Sequence, residues 1–118
     1  MAFDVSKFKP KSADELFDGL VSVVKDVALE QWTQIKGEMT YHFKFIAEKT
    51  AEVAAKLAGG IIDDKEADAT LHLLEVNLNS ALKQFAFMAY VTAQKILSAV
   101  FNLLKSAIRN LTGVKLLF

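Results

Sequence analysis

The chain contains a single proline, Pro10, and the 108 residues that follow it contain none. Proline is the residue that most strongly ends a helix, so a segment of this length without one can form long helices. Apolar residues recur in this segment at helical spacing, beginning with Phe17, Val21 and Val24. The sequence therefore predicts an all-α fold.

Side-chain signals place the helix starts and ends. Ser12 precedes Glu15, and Asp63 precedes Glu66, by the three residues that a capping box requires. Glycines at positions 59, 60 and 113 favour the left-handed backbone conformation that ends helices.

We therefore expect a long antiparallel helical hairpin with helices at about 13–58 and 64–111. The hairpin would be one domain, residues 12–118, preceded by an N-terminal arm at residues 1–11. Four shorter helices are the alternative, with breaks at Gly37 and at residues 77–80, although one interior glycine costs a helix only about 1 kcal/mol. The arm can lie on its own chain or on another.

The stretch at residues 85–104 contains only one charged residue. Its twenty residues equal the length of a membrane-spanning helix. On a helical wheel, however, polar residues of this stretch lie along one side. Inserting a lysine such as Lys95 at the middle of a bilayer costs about 2.5–3.5 kcal/mol of free energy. A membrane span is therefore disfavoured.

The apolar side of residues 80–111 covers roughly 200° of the helix circumference, whereas one neighbouring helix covers about 100°. A single hairpin would leave apolar surface exposed, so we expect a homo-oligomer, either a four-helix bundle of two hairpins or a larger assembly. The expected interface residues all lie on this apolar side: Phe85, Ala89, Ala93, Ile96, Val100 and Leu104.

The zero net charge conceals two halves of opposite sign. Residues 1–75 hold all fourteen acids and nine lysines, a net charge of −5, and residues 76–118 hold five cations and no acid, a net charge of +5. The basic helix at 80–111 suggests an alternative function, binding to an anionic membrane surface or an apolar particle. The contact residues would be Lys83, Lys95, Lys105 and Arg109. The whole chain is not basic enough to favour nucleic acid.

Carboxylates and a histidine come together in the predicted hairpin, which brings Glu48 and Glu52 opposite His72 and Glu75. These are the ingredients of a metal site in a helical bundle. The paired Glu-x-x-His motif of such sites is absent, so a solvated charged surface is the favoured interpretation and we expect no metal or cofactor.

Catalysis has no support in the sequence. The chain lacks cysteine, a nucleophile-elbow serine and a phosphate-binding glycine loop. No small-molecule substrate is evident. The N-terminus has no continuous apolar run of the kind found in secretory signals, so cytoplasmic residence is the expectation, with peripheral membrane attachment as the alternative.

The predicted form is similar to that of small helical-hairpin proteins that assemble, among them phage or virus structural subunits, secreted hairpin dimers and granule-coating proteins. No motif ties the chain to one of these groups. We therefore expect a non-enzymatic, self-assembling structural or interaction subunit. A membrane-surface or apolar-particle binding protein is the second hypothesis, and a metal-binding bundle is the third.

Overall fold

The computed structural model describes residues 4–116, which fold into four α-helices and two single-turn 3-10 helices. The α-helices are α1 (Ala13–Ala28), α2 (Trp32–Ala58), α3 (Asp64–Lys83) and α4 (Tyr90–Thr112). The 3-10 helices are Val5–Lys7 in the arm and Leu29–Gln31 between α1 and α2. Residues 4–116 contain no strand, and the predicted all-α class is confirmed.

The predicted helix starts are confirmed at both capping residues. The Ser12 hydroxyl accepts from the backbone N–H of Glu15 at 3.2 Å, and the Asp63 carboxylate accepts from the N–H of Glu66 at 2.8 Å. Each bond satisfies an N–H group that has no partner inside its helix. The Glu15 carboxylate accepts from the N–H of Lys11, at 2.9 Å, one residue before the cap.

The prediction of two uninterrupted long helices is wrong, because each predicted helix is folded back on itself. The first break lies at Leu29–Gln31, where Leu29 has a positive φ of 54°. The second lies at residues 84–89, where Ala89 has extended backbone angles. The break points that we considered are also wrong, because Gly37 lies within α2 and residues 77–80 lie within α3.

Neighbouring helices run antiparallel. The Lys44 ammonium lies over the Phe17 ring, 6.0 Å from its centroid, which brings the middle of α2 beside the start of α1. Val76 of α3 and Leu97 of α4 line the same groove, which requires α4 to run back along α3. The four helices form an up-down-up-down bundle in which α4 packs against all three of the others.

The bundle closes within one chain. Its radius of gyration is 13.7 Å, against about 13.5 Å expected for a compact chain of this length. Its longest dimension is 43 Å, whereas an unbroken helix of 46 residues would be about 70 Å long. The four-helix bundle that we expected from two chains is thus built from one.

The described part of the N-terminal arm, residues 4–11, lies on its own chain. The side-chain amide of Asn110 in α4 donates to the carbonyl oxygens of Ser6, at 3.2 Å, and Phe8, at 2.7 Å. The Phe8 ring packs on Gly19 of α1, where an added Cβ would lie 2.7 Å from the ring. Phe3 and residues 117–118 lie outside the described residues.

Candidate functional site

The apolar side of α4 is covered by the other helices of the same chain. Four of the six expected interface residues are buried in the core of this chain: Ala93, Ile96, Val100 and Leu104. Of the other two, Phe85 is half-buried and Ala89 is exposed, both in the segment between α3 and α4. The sequence predicted that this apolar side would stay exposed on a single chain, and that prediction led us to expect self-association. The structure instead buries most of these residues within the chain.

The four candidate metal ligands do not come together. Glu48 lies beside Asp14 and Phe17 of α1. Glu52 forms ion pairs with Lys49 and Lys56 within α2. The hydrogen bond from Lys56 and the charge of Lys49 hold the pKa of the Glu52 carboxyl below its ordinary value.

On α3, His72 Nδ1 and Glu75 Oε1 are 3.6 Å apart. Across residues 4–116, no three histidine or acidic side chains gather as metal ligands would. The metal-binding hypothesis thus has no geometric support.

The four expected anionic-surface contacts divide among different regions. Lys83 lies in the last turn of α3, and Lys95 lies near the start of α4. Lys105 and Arg109, towards the end of α4, line a shallow depression together with Lys115. The basic half of the chain therefore presents one cluster of three cations rather than a continuous basic face.

A groove of about 610 Å³ lies where the end of α1 meets the start of α4. We call it the end groove. Its α1 side consists of Asp26, Val27 and Leu29, and its α4 side of Tyr90, Val91, Gln94, Lys95 and Ser98. Because α1 and α4 are far apart in sequence, this surface exists only in the folded bundle.

Large apolar side chains are exposed in the end groove. The exposed fractions are 69% for Leu29, 73% for Tyr90 and 61% for Val91. Single exposed apolar residues are common on protein surfaces, whereas several in one concave region indicate a binding site. The end groove is thus the strongest candidate for contact with another molecule.

Leu29 is held in a conformation that leucine rarely adopts. Its φ of 54° lies in the left-handed region, and it has the only positive φ of a non-glycine residue among residues 4–116. Such a conformation costs about 1–2 kcal/mol for a residue with a Cβ. The fold therefore bears a local strain at the residue that projects into the end groove.

Opposite charges face each other across the end groove. Asp26 is exposed on the α1 side and Lys95 on the α4 side. Neither forms an ion pair within the described part of the chain. Both charges are therefore available to a partner.

Of the groove residues, sequence reasoning identified Lys95 and missed Leu29. The sequence does contain one signal of the helix break at Leu29. On a continuous helical wheel, the residues of α1 that become buried are offset by roughly a third of the circumference from those of α2. Leu16, Leu20 and Val23 are examples from α1, and Ile35 and Met39 are examples from α2. This shift in the apolar stripe indicates a break between them.

No helix among residues 4–116 has the length and hydropathy needed to cross a membrane. Searches with the chain against protein-family models, curated proteins and solved structures found no significant match.

Proposed function

We propose that the protein is a non-catalytic interaction protein that binds a second copy of itself through the end groove. The observation that carries this proposal is the exposure of Leu29, Tyr90 and Val91 in one concave surface. Burial of apolar surface is the main favourable term in most protein association, at about 25 cal/mol per Å². A partner that covers these three side chains would gain this term without unfolding either bundle.

The charges in the end groove favour a second copy over an unrelated partner. In a two-fold symmetric dimer, each contact occurs twice, with the roles of the two chains exchanged. An acid on one side of the groove and a cation on the other are then self-complementary, because Asp26 of each chain can meet Lys95 of the other. The exposed positions of both residues support this arrangement.

The two tyrosines of the chain provide a matched test. Tyr90 lines the end groove, and Tyr41 is 79% exposed on α2, outside the groove. We expect the unmodified protein to be a dimer by light scattering after size exclusion. Tyr90→Ser should weaken the dimer at least tenfold, whereas Tyr41→Ser should leave it unchanged. A monomeric mass at all protein concentrations would overturn the proposal.

Binding to an anionic surface is a second candidate function. It is favoured by the cluster of Lys105, Arg109 and Lys115, since neighbouring cations attract anionic lipid at about 1 kcal/mol each. The double variant Lys105→Glu/Arg109→Glu should then lose binding to phosphatidylserine vesicles at low salt, while Lys83→Glu should retain most of it. Equal binding by both variants would argue against this cluster as the contact.

A further inference from the structure

The described arm, residues 4–11, lies on the bundle as a short bound peptide would. Val5 and Phe8 are half-buried against the core and Pro10 is buried, whereas the residues between them are exposed. The turn at Val5–Lys7 packs on α4. The helices also contact one another directly, so the arm is attached to the bundle rather than built into its centre.

Two features of the bundle hold the arm. The missing side chain of Gly19 leaves a notch on α1 that the Phe8 ring fills, 2.7 Å from where a Cβ would lie. The side-chain amide of Asn110 donates to the carbonyl oxygens of Ser6 and Phe8. The notch thus recognises one aromatic side chain, and Asn110 recognises the path of the backbone. We call these two residues and the surface between them the arm site.

The arm also holds its own shape. The N–H groups of Lys7 and Phe8 donate to the carbonyl oxygens of Asp4 and Val5, at 3.3 and 3.2 Å. The Asp4 carboxylate accepts from the N–H and the hydroxyl of Ser6, at 3.1 and 2.7 Å. All four bonds lie within the arm, so they do not depend on which chain supplies the arm site. A ligand that keeps its bound shape loses less conformational freedom when it binds.

The chain reverses direction between the arm and α1. Phe8 lies beside Gly19, so the arm folds back along the helix that begins after Ser12. An exposed hydrogen bond of 2.9 Å, from the N–H of Lys11 to the Glu15 carboxylate, holds the reversal. If the reversal opens, Phe8 can extend roughly 13 Å beyond Ser12, at about 3.3 Å per residue, and the notch is left empty.

We propose that the arm site binds the arm of a second copy of this chain, so that two chains exchange their arms. In the exchanged pair, each Phe8 ring fills the notch above the other chain's Gly19, and each Asn110 bonds to the other chain's arm. Exchange of an identical element is a low-cost route to a dimer, because every contact is kept. The balance between the closed chain and the exchanged pair then depends on protein concentration and on the reversal at residues 11–12.

This inference does not rest on the dimer proposed for the end groove. Asn110 lies near the end of α4, whereas Tyr90 of the end groove is its first residue. The two surfaces are therefore separate, and each can be tested without the other.

Two variants that each lose one half of the contact test the exchange. Phe8→Ala removes the anchor of the arm and keeps the notch, whereas Gly19→Leu fills the notch and keeps the anchor. All chains also carry Tyr90→Ser, which weakens association through the end groove equally in every sample. By sedimentation velocity, the equimolar mixture should form a one-to-one complex at least tenfold more tightly than either chain associates with itself. Only the mixture pairs an intact anchor with an open notch.

The control mixture replaces the Gly19→Leu chain with one that carries both Phe8→Ala and Gly19→Leu. It contains no intact anchor and should associate no more tightly than the separate chains. Circular dichroism shows whether each chain is folded. The proposal is overturned if the folded test mixture forms no complex, or if the control mixture associates as tightly as the test mixture.

A peptide of residues 4–11 tests the same site if Gly19→Leu does not fold. By fluorescence anisotropy, the labelled peptide should bind saturably to the full chain that carries Phe8→Ala. It should bind more weakly to the chain with Phe8 intact, whose own arm occupies the notch. Phe8→Ala in the peptide should weaken binding at least tenfold, whereas Lys9→Ala, at an exposed position, should not. Absence of saturable binding, or equal binding of the Phe8→Ala and Lys9→Ala peptides, would overturn the proposal.

Discussion

Gly19 is the residue at which the arm and α1 make their closest approach. It is buried in the middle of α1, and the Phe8 ring occupies the place where a side chain would lie. Glycine is otherwise unfavourable within a helix. Its presence here lets an aromatic ring of the arm pack directly on the helix backbone, next to the hydrogen bonds that Asn110 donates to the arm.

A comparison of Gly19→Ala with Gly37→Ala measures this contact. Gly37 is exposed within α2 and has nothing within 4 Å of an added Cβ. Gly37→Ala should raise the free energy of unfolding by about 1 kcal/mol, through helix propensity alone. Gly19→Ala gains the same propensity but displaces the Phe8 ring, so its unfolding free energy should be at least about 1 kcal/mol lower than that of Gly37→Ala.

Urea unfolding followed by circular dichroism gives both values. Equal stabilisation by the two substitutions would show that the Phe8 ring does not pack on Gly19 in solution.

At the scale of the helices, the sequence predicts the ends that depend on local chemistry and misses those that do not. The starts at Ala13 and Asp64 were predictable because the preceding Ser12 and Asp63 cap them through their own side chains. The end of α4 at Gly113 was predictable because its φ of 78° suits glycine. These features require nothing from the rest of the fold.

The breaks at Leu29–Gln31 and at residues 84–89 have no such signals. Neither contains glycine or proline, and no side chain caps the start of α2 or α4. Each break lets two apolar stripes of one predicted helix face the same core, and this gain exceeds the local preference for a continuous helix. A prediction from periodicity alone cannot weigh this gain, because it depends on which helices become neighbours.

The first break should become more stable with glycine at its first residue. Leu29→Gly removes the strain of the positive φ, whereas Leu29→Ala retains it. Both remove the exposed leucine side chain. We expect the glycine variant to be more stable than the alanine variant by about 1 kcal/mol, the reverse of their order within a helix.

Chemical denaturation of both variants measures this difference, and light scattering should show the dimer weakened equally in both. A more stable alanine variant would mean that residue 29 has ordinary helical angles in solution.

For the whole molecule, the charge split was readable from the sequence, but the candidate site was not. Lys95 was identified as a cation on a basic helix, and its position across a groove from Asp26 follows only from the packing of α1 on α4. Four of the six expected interface residues were assigned to the wrong surroundings because a 200° apolar sector needs several neighbours, and the same chain supplies them. Periodicity indicates how much surface must be covered, not which chain covers it.

The opposed charges allow a test of two-fold symmetry. Asp26→Lys gives a chain with a cation on both sides of the end groove, and Lys95→Asp gives a chain with an acid on both sides. Each variant alone should dimerise at least tenfold more weakly, because like charges then meet twice in its dimer. An equimolar mixture should form a heterodimer, in which both contacts pair opposite charges.

Sedimentation equilibrium of each variant and of the mixture distinguishes these states. The chain that carries both substitutions is the control and should dimerise like the unmodified protein. Undiminished dimers of the separate variants would place the interface elsewhere.

The pairing of the first helix with the last has a consequence for synthesis on the ribosome. The carbonyl groups of Ser6 and Phe8 bond to Asn110, and α1 packs along α4, so the bundle closes only after most of the chain has emerged. At about 5–20 residues per second, roughly 3–10 s pass between synthesis of the end of α2 and synthesis of Asn110. For that time the hairpin formed by α1 and α2 lacks its contacts with α4. During that interval its apolar face is open to chaperones and to other nascent chains.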